Sequence, residues 1–439
     1  MTLLDTSRIY TYIGTWREQL VISISGILGV LATNLLGPRV MLLIGTFTST
    51  LLSSSIAVAA HGVAGGYELF LAAKIIDDFG LTMTRVCLVT MALTYPCERK
   101  KARVLALFQF VLDMFVTFGE ILKQNRARDG EEQAMRAVWA RLVFSAVSAI
   151  CALGVTPIGN VVRDSGVFVL AREIKSLSRE VSKTAKLFGN TYMLLLMPCM
   201  FSYPFMLGTM SIRLPDRQSV LFFNIGSLLA LVLAFVLDIG SEWRRRRGQY
   251  GFAIAVFVTI VCLCTMTVLN TQPVDSAAYS SPSISLYRLV HYRALFYATV
   301  FFNGMSVSCV FLFSGWVIGS LTNDVEYTAR FSGALLSIPA LGTLTAYLCV
   351  DAEASKSVPS NIPLYVGIAM LALSSCAMYY VVHSISDTND WSLMRMNNAP
   401  RSASPSSEGS LSQNCCLVRF VDDSSSVERS SIIKRPLSG

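Results

Sequence analysis

The sequence predicts an all-α, polytopic membrane protein with about eleven transmembrane helices. Three observations carry this. Of the 439 residues 53% are hydrophobic and only 15% charged, against roughly 25% charged in an average soluble domain. Mean hydropathy is +0.54. Apolar runs of span length recur from one end of the chain almost to the other.

The runs occupy 18–37, 40–60, 69–94, 104–122, 137–157, 191–210, 219–239, 250–269, 294–319, 331–350 and 362–383. Each approaches the roughly 20 residues that cross a hydrocarbon core as helix. The first is not a cleavable signal peptide, because it ends in "NLLGPR" and a second span follows at once. Basic residues punctuate the series. Arg39 divides the first pair of runs. The third run ends at Tyr95-Pro96, since proline disfavours helix in the residue before it, and Arg99, Lys100, Lys101 and Arg103 follow. The longest connection, 158–190, holds six lysines and arginines, Arg244 to Arg247 precede the eighth run, and Arg330 opens the tenth.

Counted over alternate connections, one side of the membrane receives about 16 basic residues and the other about 9, the latter diluted by acids. The richer side is expected to be cytoplasmic, which places the carboxyl terminus inside. Four segments follow: an amino-terminal transmembrane bundle (1–157), a cytoplasmic linker with an amphipathic helix (158–190), a carboxyl-terminal bundle (191–383) and a disordered Ser-rich tail (384–439). In the linker, Leu170, Ile174, Leu177, Val181, Ala185 and Phe188 recur at helical spacing while Arg172, Lys175, Arg179 and Lys183 take other faces. That pattern fits a basic helix lying on the inner leaflet or an ordinary solvated linker helix.

The unusual feature lies inside the spans. Lys74, Asp77, Asp78 and Arg85 sit in the third run, and Asp113 and Glu120 in the fourth. An unpaired charge at mid-membrane costs about 2.5–3.5 kcal/mol on insertion scales, so these residues should face protein or water. Lys74 and Asp78 are four apart, and Asp78 and Arg85 seven apart, so the three share a helix face. Arg85 and Asp113 reach similar depths on antiparallel neighbours, which suggests a pair. The six residues form either an ion-pair network that orients two helices or a proton- or substrate-coupling site.

No phosphate loop, His-Glu-x-x-His motif or clustered Cys and His at metal spacing is present. Enzyme activity, cofactors, metals and nucleic-acid binding are therefore not expected. The eleven cysteines are mostly scattered singly within spans, as small hydrophobes.

Four stretches carry a family resemblance: "NLLGPRVMLLIG" (34–45), "TYPCERKKARVLALF" (94–108), "VVRDSGVFV" (161–169) and "LTNDVEYTARFSGALLSIPALG" (321–342). In order and spacing the chain resembles the UNC-ninety-three-like branch of the major facilitator superfamily, in the fungal form labelled a general substrate transporter. Asn34, Gly37, Pro38 and Arg39 match the first cytoplasmic turn, and Tyr95, Pro96 and Glu98 the next. Arg163 and Asp164 match the central linker, and Asn323, Asp324 and Arg330 a later turn.

The resemblance implies two helical bundles around a central cavity and twelve helices, of which the family's first has no counterpart here, through a short gene model or through divergence. It further implies a lipid bilayer as surroundings, and either alternating-access transport of a small unknown solute with protons as a candidate coupling ion, or a non-transporting regulator or trafficking partner of another membrane protein. Plasma membrane and endomembrane are equally compatible with it.

Overall fold

The computed structural model describes residues 16–61, 63–96, 100–114, 131–156, 161, 177–209, 217–238, 244–272, 291–322, 324–354 and 362–385. Their regular elements are helices: α1 (Trp16–Ala60), α2 (Gly66–Thr94), α3 (101–114), α4 (Glu131–Gly154), α5 (Leu177–Leu187), α6 (Thr191–Thr209), α7 (Arg217–Leu229), α8 (Leu231–Leu237), α9 (Arg244–Thr271), α10 (Arg293–Leu321), α11 (Val325–Ala354) and α12 (Ile362–Ser384).

The 45-residue α1 is two spans. Its helical geometry breaks at Gly37, with φ 77° and ψ 169°, directly before Pro38. Gly29 and Gly45, each eight residues from Gly37, both lie against one turn of α2: the first meets Met83 and Val86, the second Thr84. Two points symmetric about a break can reach the same place only if the chain folds back there. α1 is thus a helical hairpin, and with α7 and α8 as the halves of one span the described residues hold at least part of each of the eleven expected spans.

Polarity is distributed as lipid requires. Phe47, Ile150 and Leu373 are 68, 70 and 72% exposed, whereas Ser25, Ser53, Thr299 and Thr328 are fully buried. Many of the buried hydroxyls donate to backbone carbonyls of their own helix, as Ser25 does to Val21 and Thr328 to Asp324. This satisfies them where no water reaches.

Two bundles result. The α1 hairpin packs with α2 and α4, and α6 to α12 pack among themselves. The bundles meet where the first half of α1 crosses α11. A Cβ on Gly26 would collide with Ser337, and one on Gly333 with Val30 and the Gly26 carbonyl, so glycine is what lets these two backbones approach. A second crossing brings α3 to α7 and α8.

The linker helix α5 turns a narrow face inward and leaves Ser178, Arg179, Ser182 and Lys186 exposed. Glu180, Thr184 and Leu187 are buried, while Leu177, Val181 and Ala185 of the expected apolar stripe face outward.

Candidate functional site

Three polar groups in this apolar molecule stand between or beside the bundles. The first surrounds α2. Lys74 Nζ pairs with Asp78 in the same helix, as their spacing predicts, and lies 3.5 Å from Glu18 in the α1 hairpin. Asp77, nearly inaccessible, accepts 2.9 Å hydrogen bonds from Arg141 of α4 and from Ser49 of α1. Arg85 and Asp113 do not form an ion pair. Asp113 instead accepts from Gln109 one turn earlier, at 2.8 Å, and from Ser227 of α7. Arg85 is sunk between the helices, keeps part of its surface open, and has an Nε that makes no hydrogen bond. Glu120 lies outside the described residues.

The second group is a thread of hydroxyls across the bundle boundary. Ser227, which meets Asp113 of α3, also hydrogen-bonds Ser308 of α10. Nearby, Thr259 and Ser306 are 3.0 Å apart.

The third group gathers at one end of the spans, the end carrying Gly37, Tyr95 and the α8–α9 boundary. Arg330 of α11 donates through Nε to Glu180 at 2.9 Å and through Nη2 at 2.5 Å. The same Nη2 reaches Glu326 at 3.1 Å. Lys183 of the linker helix bonds Glu326 at 3.0 Å, and Asn34 of the hairpin donates to Glu180 at 2.9 Å. Glu180 therefore ties the linker to both bundles at once.

Beside it, Lys101 donates to the Gly319 carbonyl at the end of α10, at 2.7 Å, while Leu93 packs on Gly319. Asp238 accepts the backbone N–H groups of Ala102 and Arg103 at 3.3 and 2.8 Å, a carboxylate at a helix start, where the dipole favours it. Burial pushes the Asp238 carboxyl up to about 6, against the lowering effect of those N–H groups and of Arg103 and Arg247. The arginine run that follows completes the end: Arg247 donates to the Leu237 carbonyl at 3.0 Å and Arg244 to that of Ser320 at 3.5 Å.

Of the family-motif residues, Asn34 and Arg330 meet at Glu180, and Gly37 and Pro38 make the hairpin turn. Arg39 is exposed, the Tyr95 hydroxyl lies 3.3 Å from the Thr156 carbonyl, Pro96 follows the end of α2, and the Asp324 carboxylate accepts the Glu326 N–H at 2.9 Å. Glu98, Arg163, Asp164 and Asn323 lie outside the described residues. Sequence reasoning missed Arg141, Glu180, Lys183, Glu326, Ser227 and Asp238. Glu180 had a signal, as a carboxylate in an otherwise basic helix beside the apolar stripe.

No family model matches the chain. It is similar to UNC93-like proteins 1 and 2 of Arabidopsis thaliana, each 22% identical over 379 residues, 82% of this chain and 80% of either relative. An UNC93-like protein of Schizosaccharomyces pombe is 23% identical over 333 residues, 72% of this chain and 64% of that protein. Among solved structures the fucose:proton symporter FucP of E. coli superposes with a TM-score of 0.56 at 16% identity, covering 87% of this chain and 92% of that one. The proton:xylose symporter XylE superposes with a TM-score of 0.51 at 14% identity, covering 83% of each. The fold is that of the major facilitator superfamily.

Proposed function

We infer that this chain, a multi-pass membrane protein of major facilitator fold with UNC93-like similarity along most of its length, is a transporter that moves a small solute by alternating access. The observation that supports this best is the fastened end. Asn34, Leu93 and Lys101 of the first bundle are held to Glu180, Gly319 and Arg330 by buried polar contacts and close packing, while mid-membrane charges remain between the bundles. A seal at one end and polar groups at the midplane are the parts that alternating access needs.

In this reading the fastened end is the cytosolic end, because the basic connections cluster there, and the carboxyl terminus lies in the cytosol. The bundles are then closed inward and poised to receive solute from the opposite side. Inward opening requires Glu180 to release Arg330 or Asn34, and Asp238 to release the start of α3. Two releases thus separate the outward from the inward state. Asp113, which joins the bundles through Ser227, is a candidate for coupling to protons.

The test is uptake into liposomes of a panel of labelled solutes, at two proton gradients, by the purified protein. Accumulation of one solute above protein-free vesicles is the expected result, and a dependence on the gradient assigns the coupling. No flux for any solute, together with one membrane protein recovered stoichiometrically by crosslinking, would instead favour a regulatory partner of that protein.

A further inference from the structure

We propose that Arg85 is the binding group for an oxyanion, so that the transported solute carries a carboxylate or a comparable oxyanionic head. The proposal rests on the transport reading above and adds the chemical class of the solute. Among the described residues that place charge inside the spans, Arg85 is the cation that has neither ion pair nor hydrogen bond to the protein. Lys74 is engaged by Asp78 and Glu18, Arg141 by Asp77, Lys183 by Glu326, and Arg330 by Glu180 and Glu326.

Four carboxylates lie within electrostatic reach of Arg85: Asp78, Glu18, Asp77 and Asp113. Each is occupied elsewhere. Asp78 and Glu18 share the Lys74 ammonium, Asp77 holds Arg141 and Ser49, and Asp113 accepts from Gln109 and Ser227. They lower the cost of keeping a cation there without touching its five donors. The Arg85 Nε is buried with no acceptor, a condition native proteins rarely leave unanswered.

Position supports the same role. Arg85, Val89 and Leu93 recur at four-residue spacing on one face of α2, and Leu93 packs on Gly319 of α10 in the other bundle. The opposite side of α2 is taken up by the α1 hairpin, through Asp77, Gly80, Thr84 and Cys87. Arg85 therefore looks toward the boundary between bundles. Ten residues before Tyr95, it stands about 15 Å from the fastened end, near the middle of a roughly 30 Å core. A guanidinium fork presented there matches a carboxylate in two parallel hydrogen bonds.

The experiment compares wild-type protein with Arg85→Gln and Arg85→Lys in detergent. Thermal unfolding is followed against acetate, succinate, inorganic phosphate and sulfate at matched ionic strength in chloride, with glucose as an uncharged probe. At least one oxyanion is expected to raise the wild-type Tm in a saturable manner. That shift should vanish in Arg85→Gln and need at least tenfold more anion in Arg85→Lys, which keeps the charge and loses the fork. Stabilisation by no oxyanion, equal stabilisation of wild type and variants, or stabilisation by glucose alone would overturn the proposal. Should Arg85→Gln fail to fold, the comparison of wild type with Arg85→Lys decides.

Liposome uptake of the same probes separates this inference from the transport reading. Saturable oxyanion stabilisation without flux leaves the site and removes transport. Flux of an uncharged solute that Arg85→Gln does not alter leaves transport and removes the anion.

Discussion

Arg330 and Glu180, 150 residues apart in sequence, meet with both side chains only 1% exposed, and two donors of the guanidinium converge on one carboxylate oxygen. Asn34 donates to that same oxygen. One acceptor thus serves the linker helix, the hairpin and α11, and the consequence of removing it can be stated.

Glu180→Gln should destabilise the protein by about 1–3 kcal/mol, the cost of weakening buried charge-assisted hydrogen bonds, because the amide keeps an acceptor and Glu326 still faces the Arg330 guanidinium. Chemical or thermal unfolding in detergent measures it. Exchanging the two charges in a Glu180→Arg, Arg330→Glu double variant should recover part of the loss of either single reversal by restoring the pair, and only part, because the new carboxylate meets Glu326 and the new guanidinium lies beside Lys183. Double and single variants of equal instability would show that geometry rather than charge is what matters there.

Asp238 gives a pH signature. Its carboxyl, pushed up to about 6 by burial, has a higher affinity for protons in the folded protein than in the unfolded chain, where an aspartate titrates near 3.9. Its contribution to stability is therefore greatest below about pH 4 and is lost as pH rises through about 6. In a Tm-against-pH comparison, wild type minus Asp238→Asn should fall between pH 4 and 7. A flat difference over that range would contradict the assignment.

Gly37→Ala isolates backbone strain. At φ 77° and ψ 169° the residue occupies a region open essentially to glycine, and no atom lies within 4 Å of a Cβ placed there. The expected loss is about 1–3 kcal/mol with no steric component. Gly154→Ala, which also meets nothing within 4 Å and has an ordinary helical backbone, should be neutral or stabilising by up to about 1 kcal/mol. The two variants make a matched pair.

Gly333→Val should block closure of the fastened end. Even a single methyl there meets Val30 and the Gly26 carbonyl, so a branched side chain wedges α11 from the hairpin. Uptake should be abolished while the purified protein keeps its helical circular dichroism. Retained uptake would show that this crossing opens freely during the cycle.

The spans were legible because each is a long apolar run, and membrane thickness fixes how long such a run must be. The Lys74–Asp78 pair was legible because both residues sit on one helix, where spacing alone sets distance. The expected Arg85–Asp113 pair depended on how two helices are rotated about their own axes, which no spacing within either one determines. There, Ser227 from the second bundle takes Asp113 instead. Glu180 was obscured for a related reason. Its helix has an apolar stripe, and apolar stripes in water point inward, but beside a bilayer Leu177 and Val181 can face lipid and the carboxylate can face the protein. Arg141 in α4 was passed over although it lies within the run 137–157, since its partner Asp77 is 64 residues away.

The hairpin at Gly37 bears on how damage spreads. With one glycine at the bend and a proline after it, its two arms have no loop between them to absorb a displacement. Gly29 on one arm and Gly45 on the other rest on the same turn of α2, so a bulky residue at either one would lift both arms from that helix together.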